Sequence, residues 1–270
     1  MGNVVKIIGY TILDQIRQRS FLVLLGIGIL LVLLLRSCYG GSYTVNGRQI
    51  DGVTLAWHAS KIAFHVIVVA MYLVTALMAM KVFGRDRDDG STVLFLSRPV
   101  PRWQYAIGRI AGVWLLSFAF MFVLHGTMFC IMWLKTGGVI PGYLLASCVC
   151  SLNLLFAVSL ICLCSLFMPD IIAALAGLGV IIVGFVSDGG HQLMNSDLVK
   201  SAMPSAMTVN PALWRIFYPK LFMVQSFAES LITKNDFTGM GPVHPVINVA
   251  LFTGLIVAAL ILYFNKKEIA

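Results

Sequence analysis

Residues 84–109, GRDRDDGSTVLFLSRPVPRWQYAIGR, form the densest charged block of a chain that is otherwise strongly apolar. The block holds five arginines and three aspartates, namely Arg85, Arg87, Arg98, Arg102, Arg109, Asp86, Asp88 and Asp89. Long apolar runs precede and follow it. Because charged side chains are costly in hydrocarbon, we expect the block to lie in water between two membrane-spanning helices. The fold is therefore predicted around a water-facing loop.

The composition of the whole chain indicates a membrane setting. Hydrophobic residues make up 59% of the 270 residues and charged residues 11%, with a mean hydropathy of +0.92, whereas a soluble domain carries about 25% charged residues. Each membrane span needs about 20 apolar residues, so the length allows about six spans with modest loops. The net charge of +8 is assigned to Lys and Arg residues that flank and orient the spans, and not to nucleic-acid binding.

The apolar runs predict an all-α membrane protein, with a single transmembrane domain over residues 1–270. The six predicted spans cover residues 20–36, 59–83, 110–134, 143–167, 171–187 and 246–264. Turn formers at Asn46-Gly47 predict a small external hairpin before the second span. Residues 188–245 are expected to form a long external connection. Within it, the amphipathic stretch 211–233 is interrupted by Pro219, which predicts a broken helix that lies on or dips into the outer face.

Residues 3–19 are too polar to span a membrane, and they predict a helix that lies in the plane of its interface. Its faces differ in polarity, with Val5, Ile8, Ile12 and Ile16 on one side and Lys6, Asp14 and Arg17 on the other. Lys and Arg residues near the spans are most frequent at the N-terminus, in the charged block and at the C-terminus. The positive-inside rule therefore predicts a protein of the inner membrane with both termini and the block in the cytoplasm.

Several classes of function lack their characteristic residues. No G-x-x-x-x-G-K-[ST] motif occurs, so the chain cannot bind ATP in a P-loop of its own. No H-E-x-x-H motif occurs, and the chain has only two glutamates, which excludes intramembrane metalloproteolysis. No acidic residue is expected in the middle of a predicted span, which disfavours a carrier coupled to protons or sodium ions.

Three histidines offer an alternative function. His58 and His65 are seven residues apart on one face of the second span, and His125 lies in the third span at a depth comparable with that of His65. Two such imidazoles could bind a haem iron or a copper ion. The simpler expectation is that His58 is interfacial, that the other two form hydrogen bonds inside the helix bundle, and that the protein holds no cofactor. Five of the six cysteines fall in apolar runs, where they are expected to pack as small hydrophobic residues.

The charged block has an internal order of its own. Ser91 or Thr92 can cap a short helix that contains the following leucines, and Pro99 would end that helix. A second short element is expected to begin near Pro101 and to lead into the third span. A short amphipathic helix held by arginines at a membrane surface is suited to dock in a groove of a soluble partner.

The block resembles the first cytoplasmic loop of the type-2 permeases of ATP-binding-cassette transporters. The resemblance lies in the run Asp86…Gly90-Ser91-Thr92…Leu94-Phe95-Leu96-Ser97-Arg98-Pro99-Val100…Arg102…Tyr105…Gly108-Arg109. That loop typically reads acid-x-x-x-Gly-Thr, then Leu-Leu-Ser-x-Pro-Val-x-Arg, then Gly-Lys. Here Asp86 stands for the usual Glu, Ser91 is inserted before Thr92, and Arg109 stands for Lys.

The resemblance implies a coupling helix that contacts a separate ATP-hydrolysing subunit, so that the chain itself is not an enzyme. The implied contacts to that ATPase are Arg85, Asp86, Asp88, Gly90, Thr92, Ser97, Arg98, Pro99 and Arg102. Residues 3–19 would be the connecting helix, with Lys6, Asp14, Arg17 and Arg19. Two permease copies would pair with an ATPase dimer in the lipid bilayer, usually for export. Two other readings stay open: a stand-alone channel or redox protein, and a membrane assembly subunit without transport.

Overall fold

Eight helices and one hairpin make up the parts of the chain that the computed structural model describes, which are residues 2–35, 43–45, 48–50, 52–88, 101–136, 142–194, 218–233, 237 and 243–266. In chain order these elements are α1 (Gly2–Arg17), α2 (Arg19–Leu35), β1 (Tyr43–Val45), β2 (Arg48–Ile50), α3 (Gly52–Asp88), α4 (Arg102–Thr136), α5 (Gly142–Cys164), α6 (Asp170–Met194), α7 (Leu221–Thr233) and α8 (Pro245–Lys266).

Among the described residues, five helices are long and apolar enough to cross a membrane. Their apolar segments are His58–Phe83, Arg102–Leu134, Gly142–Cys164, Asp170–Gly190 and Pro245–Lys266, which match the second to sixth predicted spans. Helix α2 is also apolar, but its 17 residues extend only about 25 Å, and the hydrocarbon core is about 30 Å thick. The first span at 20–36 therefore stays a prediction, whereas five apolar helices indicate a multi-pass membrane protein.

Helices α3 and α4 extend into the block that was predicted to be a loop. Helix α3 continues to Asp88 and α4 begins at Arg102, so residues 84–88 and 102–109 are helical. The backbone amides of Gln104 and Tyr105 donate hydrogen bonds to the Pro101 carbonyl. The element predicted near Pro101 is confirmed as the first turn of α4, where a proline fits because that position needs no amide donor.

The predicted hairpin is confirmed. Strands β1 and β2 pair in antiparallel register, with Tyr43 opposite Ile50 and Val45 opposite Arg48. The residues between them in the sequence are Asn46-Gly47, a pair that favours the turn with positive φ angles found in two-residue hairpin loops. The external position of this hairpin stays a prediction.

Helix α5 is the centre of the bundle, because α3, α4, α6, α7 and α8 all pack against it. Many of its buried residues are small, including Ala146, Ser147, Cys150, Ala157 and Cys162. Small residues let the backbones of neighbouring membrane helices approach closely. Helices α6 and α8 are peripheral, since only 28% of the most apolar stretch of α6 and 22% of that of α8 are buried. Their remaining surface is open to lipid or to another protein.

The two ends of the bundle are chemically different. At one end, which we call the loop end, the rings of Phe83, Tyr105 and Phe264 pack together where α3 and α4 border the charged block. At the opposite end, α3 follows the hairpin and polar side chains collect between α3, α4, α5 and α7. Helix α3 joins the two ends without a break over 37 residues, a length of about 55 Å.

Candidate functional site

Helix α1 packs against the first turns of α4 through two glycines. A Cβ atom on Gly108 would lie 2.7 Å from Ile7 Cγ2, and a Cβ atom on Gly112 would lie 2.6 Å from Thr11 Cβ. Both distances are far below the normal carbon contact of about 3.5–4.0 Å. Only glycine therefore permits this approach. The sequence carries this signal as G-x-x-x-G at 108–112, the spacing that brings membrane helices together.

Arg109 lies between those glycines and is buried, with only 2% of its surface exposed. Its Nη1 donates to Thr11 Oγ1 at 3.3 Å, and its Cζ lies 4.9 Å from the centre of the Tyr10 ring. The prediction that the whole charged block lies in water is therefore wrong for Arg109. Because α4 begins at Arg102, Arg109 faces α1 two turns inside the helix and not the surrounding water.

The contact face of α1 differs from the apolar face predicted for it. The residues of α1 buried against the bundle are Ile7, Thr11 and Gln15, spaced by one helical turn. In contrast Val5 is 67% exposed and Ile16 is also exposed, whereas Ile12 is partly buried against the core, so only part of the predicted apolar face is open to lipid. Helix α1 therefore has three faces: one toward lipid, one toward α4 and one that is charged.

The structure places part of the predicted partner interface. Arg102 lies at the loop end, where its Nη1 donates to the Asn265 carbonyl of α8 at 3.3 Å. In α1, Lys6 and Arg17 are exposed and Asp14 is partly buried. The residues Gly90, Thr92, Ser97, Arg98 and Pro99 lie outside the described part of the chain, as does the short helix predicted over 91–99. Arg19, Arg85, Asp86 and Asp88 lie in helices, but their side chains are outside the description.

At the opposite end of the bundle, α7 crosses only half of it. The Asn153 amide donates to the Leu221 carbonyl at 3.0 Å, and Asn153 is the central residue of α5. A Cβ atom on Gly142, the first residue of α5, would overlap the Leu231 carbonyl at the other end of α7. The 13 residues of α7, about 20 Å long, therefore rise from mid-depth to one end. A helix is thus present at 221–233 within the predicted amphipathic stretch 211–233, whereas 211–217 lie outside the described residues, and a position on or in the outer face stays a prediction.

A polar cluster ties α7 to α3. Glu229 Oε2 lies 3.2 Å from His65 Nε2, and Glu229 Oε1 lies 3.7 Å from Lys61 Nζ. The Gln225 amide nitrogen lies 2.5 Å from His65 Nδ1, so the ring proton is assigned to Nε2, facing the carboxylate. The His65 ring and the Lys61 ammonium group therefore both lie beside the Glu229 carboxylate.

His125 forms a second polar network, inside the bundle. Its Nδ1 lies 2.9 Å from Ser147 Oγ and its Nε2 lies 3.5 Å from the Phe64 carbonyl, while the rings of His125 and Phe64 stack at 4.6 Å. Both ring nitrogens of His65 and of His125 therefore have protein partners, as the simpler expectation had it, and His58 is exposed. In the described ranges, no group of three or more His, Cys, Asp or Glu residues could hold a metal ion.

Asp188 corrects the expected limit of the fifth span. The sequence placed the end of that span at residue 187, but α6 continues to Met194, and Asp188 is only 5% exposed. An acidic residue is thus buried near one end of a candidate span, a position that the expectation for the middle of the spans did not cover.

An apolar cavity of about 300 Å³ lies between α3 and α6. Its walls include Tyr72, Leu73, Ile181 and Phe185, and the Tyr72 and Phe185 rings meet edge to face at 5.5 Å. The cavity is lined almost entirely by apolar surface, so it can accept hydrocarbon but offers few groups that would orient a polar molecule.

Comparisons with known proteins do not place this chain in a family. No protein-family model matches it, and no curated protein matches it either. The functional interpretation therefore depends on the residues and contacts described above.

Proposed function

We propose that this chain is the membrane-spanning permease subunit of an ATP-binding-cassette exporter. A separate cytoplasmic ATPase would hydrolyse ATP, and this chain would use the resulting movement to pass cargo across the membrane. The proposal depends on the charged block at residues 84–109, which runs from the end of α3 to the start of α4. Its sequence resembles the coupling loop of type-2 permeases. The packing of α1 against the first turns of α4 supports it, because α1 is the other element expected to touch the ATPase.

The proposed assembly contains two permease copies and an ATPase dimer in the inner membrane, with both permease termini in the cytoplasm. ATP closes the ATPase dimer, and the closed dimer binds the charged block differently from the open one. A difference in binding free energy between the two states is what allows ATP to shift the permease from one conformation to the other. The exposed surface of α6 and α8 is available for the second copy or for lipid.

Helix α3 gives the proposal a physical route between the two ends of the bundle. It runs unbroken from the hairpin to the charged block, so a displacement at the loop end moves its other end too. There, Lys61 and His65 bind Glu229 of α7. The half-spanning helix α7 is accordingly proposed as the cap of the exit, and its contact with α3 as the point at which the cap receives the movement.

The test is charge reversal in the block. Arg98→Glu combined with Arg102→Glu should reduce the amount of ATPase that copurifies with the tagged chain from native membranes, since these arginines are proposed to bind acidic groups of the ATPase. Arg48→Glu, in the hairpin at the opposite end, is the matched control and should leave copurification unchanged. Unchanged binding and unchanged ATP turnover in the double variant would count against the proposal. A Soret band in the purified protein would instead favour the redox reading.

A further inference from the structure

We infer that Arg109 is a positioning residue that makes α1 and the base of the charged block move as one body when the ATPase acts on them. The inference rests on the proposed function, because it concerns how a permease receives the movement of its ATPase. The resemblance to type-2 permeases gives Arg109 no contact with the ATPase, so the role inferred here is an additional one.

Arg109 contacts α1 through two of its side chains. The guanidinium donates to the Thr11 hydroxyl at 3.3 Å, and that hydroxyl in turn donates to the Ile7 carbonyl at 2.8 Å. The acceptor is thus itself fixed to the α1 backbone. The guanidinium also lies 4.9 Å from the centre of the Tyr10 ring. Arg109 therefore holds two consecutive side chains of α1 by different interactions.

Arg109 also contacts the part of the charged block that lies in the first turn of α4. On the other side, its Cζ lies 5.6 Å from the centre of the Tyr105 ring. Tyr105 stacks on Phe264 of α8 at 5.9 Å and lies 6.4 Å from Phe83 of α3. Phe83 immediately precedes the charged block, and Tyr105 lies in its last part, in the first turn of α4. One cluster of rings therefore connects both borders of the block, and Arg109 joins this cluster to α1.

The choice of arginine at this position favours a role beyond filling space. Taking a cation out of water is costly, and well-packed apolar residues often stabilise a core at least as well as a buried charged network. A planar guanidinium can lie against two aromatic rings and still donate hydrogen bonds in its plane, which lysine cannot reproduce. The glycines on either side, Gly108 and Gly112, bring α1 close enough for this contact.

The ATPase would then act on the permease through two contacts, the charged block and α1, that move together. The charged block and α1 are each proposed to touch the ATPase. If α1 could slide on α4, a push on the block would leave α1 behind. With Arg109 in place, the borders of the block and α1 shift together, so the connecting helix reports on the same movement as the coupling loop.

The experiment uses the full-length chain, purified with its copurifying ATPase in lipid nanodiscs. The variants are Thr11→Val, which removes the hydroxyl at nearly constant volume, Thr11→Ser, which keeps it, and Arg109→Gln. The readouts are the amount of bound ATPase, its ATP turnover, and the ATP-induced change in hydrogen exchange of the α1 backbone. Thr127→Val, in α4 but away from α1, controls for the loss of a threonine hydroxyl.

We expect Thr11→Val and Arg109→Gln to keep the ATPase bound through the block, to lower its permease-dependent turnover by roughly tenfold, and to abolish the ATP-induced change in α1. Thr11→Ser and Thr127→Val should behave as the unmodified chain. If Arg109→Gln does not fold, the contrast between Thr11→Val and Thr11→Ser decides. Normal turnover and a normal response of α1 in Thr11→Val would overturn the inference alone. Absence of any ATPase from the unmodified complex would overturn the proposed function, and this inference with it.

Discussion

Gly112→Ala is the substitution whose effect follows most directly from the contact between α1 and α4. The added Cβ would lie 2.6 Å from Thr11 Cβ and 3.2 Å from the Ile8 carbonyl oxygen. Carbon atoms in contact are normally about 3.5–4.0 Å apart, so α1 must move outward by roughly 1 Å. Rotation of the Thr11 side chain cannot relieve the collision, because a Cβ atom is fixed to the backbone.

The expected cost combines two effects. Overpacking of a tight contact costs about 1–3 kcal/mol. The outward shift also stretches the 3.3 Å bond between Arg109 and Thr11, and a hydrogen bond to a charged group contributes about 1.5–3 kcal/mol. Alanine also favours the helix over glycine by about 1 kcal/mol, which stabilises α4 itself and leaves the docking of α1 unaffected. Because a shift that relieves the overpacking is the same shift that breaks the bond, we expect a net loss of about 2 kcal/mol in the docking of α1.

Hydrogen exchange of the α1 amides measures that loss. A change of about 2 kcal/mol raises the population of undocked α1 roughly 30-fold, and exchange from that state should accelerate in proportion. The control is Gly126→Ala in the same helix, where an added Cβ meets nothing within 4 Å; it should leave α1 unchanged and stabilise α4 by up to about 1 kcal/mol. Equal exchange of α1 in the two variants would refute the close glycine-mediated contact.

Three further outcomes are expected of the purified protein. Glu229→Gln should lower the free energy of unfolding by only about 0.5–1 kcal/mol, because Lys61 and His65, its partners on α3, are partly exposed. A loss above about 3 kcal/mol in a thermal melt would instead indicate a buried ion pair. Asn153→Leu should cost about 1–2 kcal/mol through the lost bond to α7, and Asn265→Leu, at an exposed position, should not change the melting temperature. N-ethylmaleimide should label Cys130 before unfolding and Cys162 only after it, because the former is exposed and the latter buried; early labelling of Cys162 would contradict the packing of α5.

The long helices could be predicted from the sequence because a membrane span has a simple signature. Uninterrupted apolar runs gave the positions of α3, α5, α6 and α8 to within a few residues at most borders, and turn formers gave the hairpin. Helix α7 was placed by the proline at 219 and by too many polar residues for a lipid-facing span. In each case one local property, either hydropathy or backbone chemistry, decides the structure.

The positions of single charges could not be predicted in this way, because they depend on neighbours that are distant in sequence. Arg109 counted as a water-facing residue because it closes a charged block, yet it is buried by a helix that is about a hundred residues earlier in the chain. Asp188 ended the apolar run, so its burial inside α6 was missed. Hydropathy counts charges along the chain, whereas burial depends on which helix lies opposite.

Two asparagine side chains, each in an otherwise apolar helix, bind the backbone at the start of α7. The first amides of a helix lack acceptors within that helix, and at membrane depth such backbone is tolerated only where protein groups satisfy it. Here Asn248 of α8 accepts from the Lys220 amide at 3.0 Å, while Asn153 of α5 donates to the Leu221 carbonyl. Two asparagines in otherwise apolar helices thus hold the point at which α7 begins. In this chain Asn153 and Asn248 therefore mark the depth at which α7 begins, and their hydrogen bonds help to keep this short helix inside the bundle.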